Sequence, residues 1–176
     1  MLGQDAGPTN VDGMPYRMRP LPIGASVNSA PAFVGGRVDM GYGDHGSVDG
    51  KADYPTYLSN KKKLPATIFS ATNDGKVHVL NAAKTDTEVT VSGVAVPAGT
   101  ELASFMPKGA MARQIDLANP AYHFSYVLDG PVVEDDIYAS AAGSLPGTAA
   151  SAGWQQLVFG TGGRGGTFMY GLRSPM

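Results

Sequence analysis

The sequence predicts an all-β fold built as a partial β-propeller, and three observations carry that prediction. First, Asn73-Asp74-Gly75 lies between two short apolar runs, and these residue types supply the positive φ angles a tight hairpin turn needs. Second, the chain has 24 Gly and 13 Pro in 176 residues, yet is 43% hydrophobic. Many short strands joined by many turns use both residues in that way; disorder and long amphipathic helices do not. Third, a strand after a Pro, a loop, an apolar strand, a Gly-rich turn and an alternating strand occur in that order twice. Repeated four-stranded meanders are the blades of a propeller.

Residues 1–28 are rich in Gly, Pro, Asp and Asn, without periodicity, and read as an irregular arm. Tyr16–Pro22 is suited to lying extended along a neighbour. Residues 29–107 form the first blade with a long loop insertion. Its strands are expected near 31–35, 66–71, 76–82 and 101–106. In 76–82, Val77 and Val79 alternate with His78 and Leu80, the period of a strand with two unlike faces. The insertion runs from Arg37 to Lys63, polar throughout, with one helical turn at Tyr54–Leu58. Loops of that length are usually functional or mobile. A small hairpin around Ser92-Gly93 is set into 88–100. Residues 108–176 form a short helix and an incomplete second blade. The helix covers 109–118 and stops at Asn119-Pro120. Tyr122–Leu128, Val132–Ala139, Gln155–Gly160 and Thr167–Leu172 are strand-like, and Ala141–Gly153 is a small-residue linker. About two blades are therefore present.

A formal charge of −2 argues against nucleic acid as a main partner, because neutralising phosphates requires an excess of Lys and Arg. Lys61-Lys62-Lys63 is the one basic run and reads as a solvated loop beside a sheet edge. The chain has no cysteine, which removes disulfides, Cys-zinc sites and thiol nucleophiles. No apolar run approaches the ~20 residues needed to span a bilayer. Met1–Pro8 lacks the basic and apolar parts of a signal peptide, so any export signal is expected outside this chain.

The residues able to carry chemistry read as structural. Asp44, Asp49 and Asp53, with Asn60, are oxygen donors suited to Ca²⁺, but their spacing lacks the alternate-residue rhythm of a calcium loop. Of the three histidines, His45, His78 and His123, the last two are expected to be packed or hydrogen-bonded; none has metal-ligand spacing. Glu134-Asp135-Asp136 clusters carboxylates, with Glu134 and Asp136 on one strand face and Asp135 on the other. A solvent face or strand-end turn is expected there. Gly160–Gly166 resembles a phosphate-cradling loop, but Thr167–Tyr170 after it reads as a strand rather than the helix an anion site needs. A hairpin turn with Arg164 bound locally fits better. Trp154, Tyr122, Phe124, Tyr126, Phe159, Phe168 and Tyr170 are expected to fill the space between blades. No Gly-x-Ser-x-Gly elbow is present. No catalytic, cofactor-binding or metal-binding residue is assigned, and no cofactor is expected.

Four segments carry a resemblance to a known family. Val27–Gly35 and Ala71–Ala82 resemble the opening blade of the C-terminal propeller in PilC/PilY-type type IV pilus tip proteins. Asn119–Val133 is similar to that family's P-x-Y-x-H-x-Y-x-V-D-G-x-P segment, and Leu157–Phe168 to its G-x-G-G-R-G hairpin. They occur in the family's order and span residues 15 to 173. The resemblance implies quinoprotein-like blades in a non-enzymatic protein, secreted or held on the outer cell surface at the pilus tip, that acts in pilus assembly, retraction control and adhesion. Its implied partners are pilus subunits, other chains or blades that complete the propeller, and a host or surface receptor. The family's calcium loop has no match here. A competing reading, a fragment of a quinoprotein-like dehydrogenase, shares the blade hairpins, and a third is a self-associating structural subunit in which edge strands pair between chains. A blade buries both faces against neighbours, so two blades alone leave apolar faces open, and a longer polypeptide or other chains are expected to cover them.

Overall fold

The computed structural model describes residues 16–17, 21, 23–84, 89–91, 93–139 and 153–174. Strands in antiparallel sheets dominate, with a few short helices, and the described residues form no closed barrel. The first sheet is a meander in the order β1 (Ala32–Val34), β2 (Thr67–Ala71), β3 (Val77–Asn81) and β6 (Glu101–Phe105). A two-stranded hairpin, β4 (Thr90–Val91) and β5 (Val94–Ala95), is set between its third and fourth strands. The second sheet is β7 (Val132–Ala139), β8 (Gly153–Thr161) and β9 (Met169–Arg173), each strand antiparallel to the next.

The central hairpin is built as its sequence requires. Gly75 takes φ 84°, a conformation that a Cβ disfavours. The turn closes through Gly75 N–H to Thr72 C=O (3.0 Å) and Thr72 N–H to Lys76 C=O (3.0 Å). Alternation then sorts the side chains. Val34, Phe69, Ala71, Val77 and Val79 face inward and meet Leu128, Val132, Val158 and Tyr170 of the second half in one shared core. Phe33, Ile68, Leu80 and Glu101 are paired across the first sheet and lie on its opposite face. Phe33 there is 59% exposed.

Four expectations are corrected. The helical turn at 54–58 is an eight-residue helix, α1 (Tyr54–Lys61), preceded by a 3-10 turn at Lys51–Asp53. Pro55 is in its first turn, where a missing N–H costs nothing. The helix expected over 109–118 is two, α2 (Lys108–Met111) and α3 (Gln114–Ala118). Tyr122–Leu128 joins no sheet, and side chains take two of its N–H groups instead. Val127 N–H donates to Asn73 Oδ1 (3.1 Å), and Ser125 N–H to the Tyr122 hydroxyl (3.0 Å). Gly153, placed at the end of a linker, opens β8. The rest of that linker, Ser92 and most of the 1–28 arm lie outside the described residues.

Candidate functional site

The inner face of the second sheet has two halves. Val132, Val158 and Tyr170 meet the first sheet. In register beyond them on β7 and β8 come Glu134, Asp136 and Tyr138 with Gln156 and Trp154, and these face the 37–63 segment. Expected as a polar surface loop, that segment instead folds over β7 and β8 and delivers one face of α1 to them. Tyr54 is fully buried, and Lys61, about two turns further along the same helix face, is 1% exposed.

Lys61 is therefore not the solvated lysine its sequence context suggests. Its Nζ lies 2.8 Å from Asp136 Oδ1, 3.0 Å from Oδ2 and 3.3 Å from Glu134 Oε1, and donates to the Val38 carbonyl at 3.1 Å. Asp136 also accepts from the Tyr57 hydroxyl (2.7 Å) and the Tyr54 hydroxyl (2.9 Å). Gln156 Nε2 donates to Glu134. The carboxylate triplet is thus a buried anchor, not a solvent face, although Glu134 and Asp136 do share a face as alternation requires. Asp135 accepts from its neighbour's N–H (2.8 Å) and from Tyr42 (3.1 Å). Burial, then the hydrogen bond to Asp136, push both the Tyr54 and Tyr57 phenols far above their ordinary range, so both remain donors.

An aromatic shell encloses this ion pair. The Trp154 ring lies 4.5 Å from Tyr54, 5.2 Å from Tyr42 and 5.5 Å from Tyr138, centroid to centroid. Its Nε1 donates to the Gly50 carbonyl at 2.8 Å. Trp154 packs the insertion onto the second sheet rather than filling space between the sheets. No signal in the sequence pointed to Lys61: Asn60-Lys61-Lys62-Lys63 reads as surface, and only the i, i+3, i+7 spacing of Tyr54, Tyr57 and Lys61 places them on one side of a helix.

A second polar cluster braces the central hairpin. His78 Nε2 is 3.2 Å from Asp74 Oδ2, and its Nδ1 is 3.1 Å from Glu101 Oε1. Asp74 also accepts from the Thr72 hydroxyl and from the Lys76 N–H. His78 is hydrogen-bonded, as expected, and carboxylates flank it on both sides. Among the described residues no group of three or more His, Cys, Asp or Glu is placed to hold a metal ion.

The remaining candidates stay apart. Asp44, Asp49, Asp53 and Asn60 are exposed, as are His45 and His123; His123 is thus not packed. Lys62 and Lys63 are solvated and border a cleft of about 500 Å³ with Phe33, Val38, Leu64 and Pro65. In the glycine-rich segment, Gly163–Gly165 makes a 3-10 turn, and a Cβ on Gly165 would sit 2.0 Å from the Val127 carbonyl oxygen. The glycines admit a crossing backbone there rather than a phosphate, and Arg164 lies over the Tyr126 ring at 5.4 Å. Phe159 and Phe168 are half-buried and Tyr170 is buried. Phe124 is 58% exposed and stands edge-on to Tyr126, with ring centroids 5.2 Å apart, so it fills no interior gap.

No helix among the described residues is long and apolar enough to cross a membrane. No family model matches the chain, and no solved structure matches it. Two curated relatives do, both named type IV pilus biogenesis factor PilY1 homolog and both from Xylella fastidiosa (strain Temecula1 / ATCC 700964). One is 26% identical over 163 residues, covering 93% of this chain and 11% of the relative. The other is 25% identical over 162 residues, covering 90% of this chain and 9% of the relative. The chain thus spans about a tenth of the length of each. The chain is thus similar, along at least 90% of its length, to proteins named as type IV pilus biogenesis factors, in keeping with the motif order that its sequence carries.

Proposed function

We propose that this chain is a two-blade section of a β-propeller in a type IV pilus biogenesis factor, and that it works at the cell surface by protein contact rather than catalysis. The observation that carries this reading is how the two meanders stack. Each is antiparallel in chain order. Their first strands, β1 and β7, touch each other, and Phe105 of β6 meets Tyr170 of β9 at 6.3 Å between ring centroids. Equivalent edges side by side around one apolar core is the relation between successive blades. Residues 29–107 and 108–176 are then the two blades, and the arm before them runs to residue 28.

The outer face of the first sheet supports the contact role. Phe33, Ile68 and Leu80 form a row across it in strand register, suited to another sheet of the same polypeptide or a pilus component. Exposed Phe124 offers a separate surface for adhesion to a receptor. Deleting the gene should reduce surface pili and attachment, and restoring it with Phe124→Ala should recover pili while attachment stays low. Normal piliation in the deletion strain would overturn the biogenesis reading. Full attachment by the Phe124→Ala strain would overturn only the adhesive one.

A further inference from the structure

Lys61 and Asp136 have the arrangement of two groups about to condense. We infer that they form an intramolecular isopeptide bond, joining the helix of the 37–63 insertion covalently to β7.

The argument begins with cost. Both side chains are fully buried, and holding two full charges away from water is expensive even when they are paired. Condensation removes both charges and releases one water. The reacting atoms are already together. Nζ straddles the carboxylate, 2.8 and 3.0 Å from its two oxygens, which puts Cγ about 3 Å away, within near-attack range. The pair is held from both sides, Lys61 by the Val38 carbonyl and Asp136 by two phenols.

Glu134 supplies the proton transfers. Its Oε1 is 3.3 Å from Nζ, and its side chain is 7% exposed. One ammonium proton passes to Asp136, leaving an amine and a carboxylic acid. The amine lone pair attacks Cγ, and Glu134 takes a second proton from Nζ as the C–N bond forms. The tetrahedral oxygens remain within reach of the Tyr54 and Tyr57 hydroxyls, which stay protonated and can donate to the developing negative charge. Glu134 then returns its proton to the departing hydroxyl, the C–O bond breaks, and water leaves. Ammonium plus carboxylate become amide plus water, Glu134 is regenerated, and no oxidant or other reactant is required. Trp154, Tyr54 and Tyr42 close the site against water, which protects the amide from hydrolysis.

The test is mass spectrometry of tryptic peptides from the native polypeptide. The expected product is a branched peptide in which Lys61 is uncleaved and joined to the segment containing Asp136, lighter by one water than the two parts. Branching separates this from succinimide formation at Asp49-Gly50 or Asp129-Gly130, which also loses water but leaves linear peptides. Asp136→Asn should give the same branched peptide with loss of ammonia instead. Glu134→Gln, close in shape, should fold and cross-link about 10²-fold more slowly or less. Full recovery, from folded wild-type protein, of a linear peptide ending at Lys61 would overturn the inference without recourse to any variant.

Discussion

His78 and Asp74 face each other across the central turn, with Nε2 3.2 Å from Oδ2 and both side chains almost wholly buried. Burial pulls the Asp74 carboxyl upward, but hydrogen bonds from His78 and Thr72, the His78 charge and the Lys76 amide outweigh it and hold the carboxyl down at about 2. For His78, burial pulls downward and is outweighed by Asp74 and then Glu101, so its pKa is raised above 6.5. The two shifts act in opposite pH directions. The Asp74 contribution is fully present above 3.8 and is lost as pH falls toward 2. The His78 contribution is fully present below 6.5 and is lost as pH climbs through the raised value. Urea midpoints of wild type and His78→Gln should therefore differ most between pH 3.8 and 6.5, with the wild type the more stable. The gap should narrow on either side. A gap that does not vary with pH would mean the histidine is held uncharged.

The hairpin carrying this pair was legible because its turn, its alternation and its flanking apolar runs all pointed one way. The strand order of both sheets followed from the same signals. What stayed hidden were contacts between residues far apart in sequence. Lys61 and Asp136 are 75 positions apart, and local composition assigned each to solvent. Only the fold of the insertion over β7 and β8 removes the lysine from water. Tyr122–Leu128 misled for a related reason. Its aromatics suit a strand, yet Asn73 takes the Val127 N–H, and a side chain that replaces a ladder partner leaves no mark on periodicity.

Gly75, the one glycine of that hairpin, should be harder to replace than a glycine of like φ in open space. It sits at φ 84°, and a Cβ there would lie 2.6 Å from Gln114 Nε2 and 3.3 Å from Val127 Cγ1. Gly41 has a similar φ of 80° but open space around it. Gly41→Ala thus reports the backbone penalty alone, about 1–2 kcal/mol. Gly75→Ala should cost more, because Gln114 must also give up its hydrogen bond to the Asp74 carbonyl (3.0 Å). Denaturant midpoints that rank the two in the reverse order would show that the Gln114 side chain yields freely.

Removing Lys61 should be far more damaging than removing either phenol. Before any bond forms between them, Lys61 is the cation of a buried pair, and Lys61→Met leaves Asp136 and Glu134 buried without it, a loss of about 3–5 kcal/mol. In the same uncondensed state, Tyr57→Phe deletes one hydrogen bond to the Asp136 carboxylate and should cost about 1.5–3 kcal/mol. The only tryptophan in the chain, Trp154, packs against Tyr57 at 6.1 Å between ring centroids. Its fluorescence therefore follows release of α1 from β8, and both variants can be ranked by unfolding while emission is monitored. Equal, small losses would place the lysine in contact with water.

Phe33 separates an open sheet from a covered one. It is 59% exposed, and on a surface that remains in water Phe33→Ala should change stability by no more than about 0.5 kcal/mol. Its row with Ile68 and Leu80 suits a covering sheet. A phenylalanine buried beneath such a sheet costs about 3–5 kcal/mol when cut back to alanine. On the two-blade reading, the variant should therefore be near-neutral when 1–176 unfolds alone and strongly destabilising in a polypeptide that supplies the covering blade. Unfolding curves for both, read by circular dichroism, decide the matter. A near-neutral result in both would leave this face in water and remove the apolar row as support for a further blade.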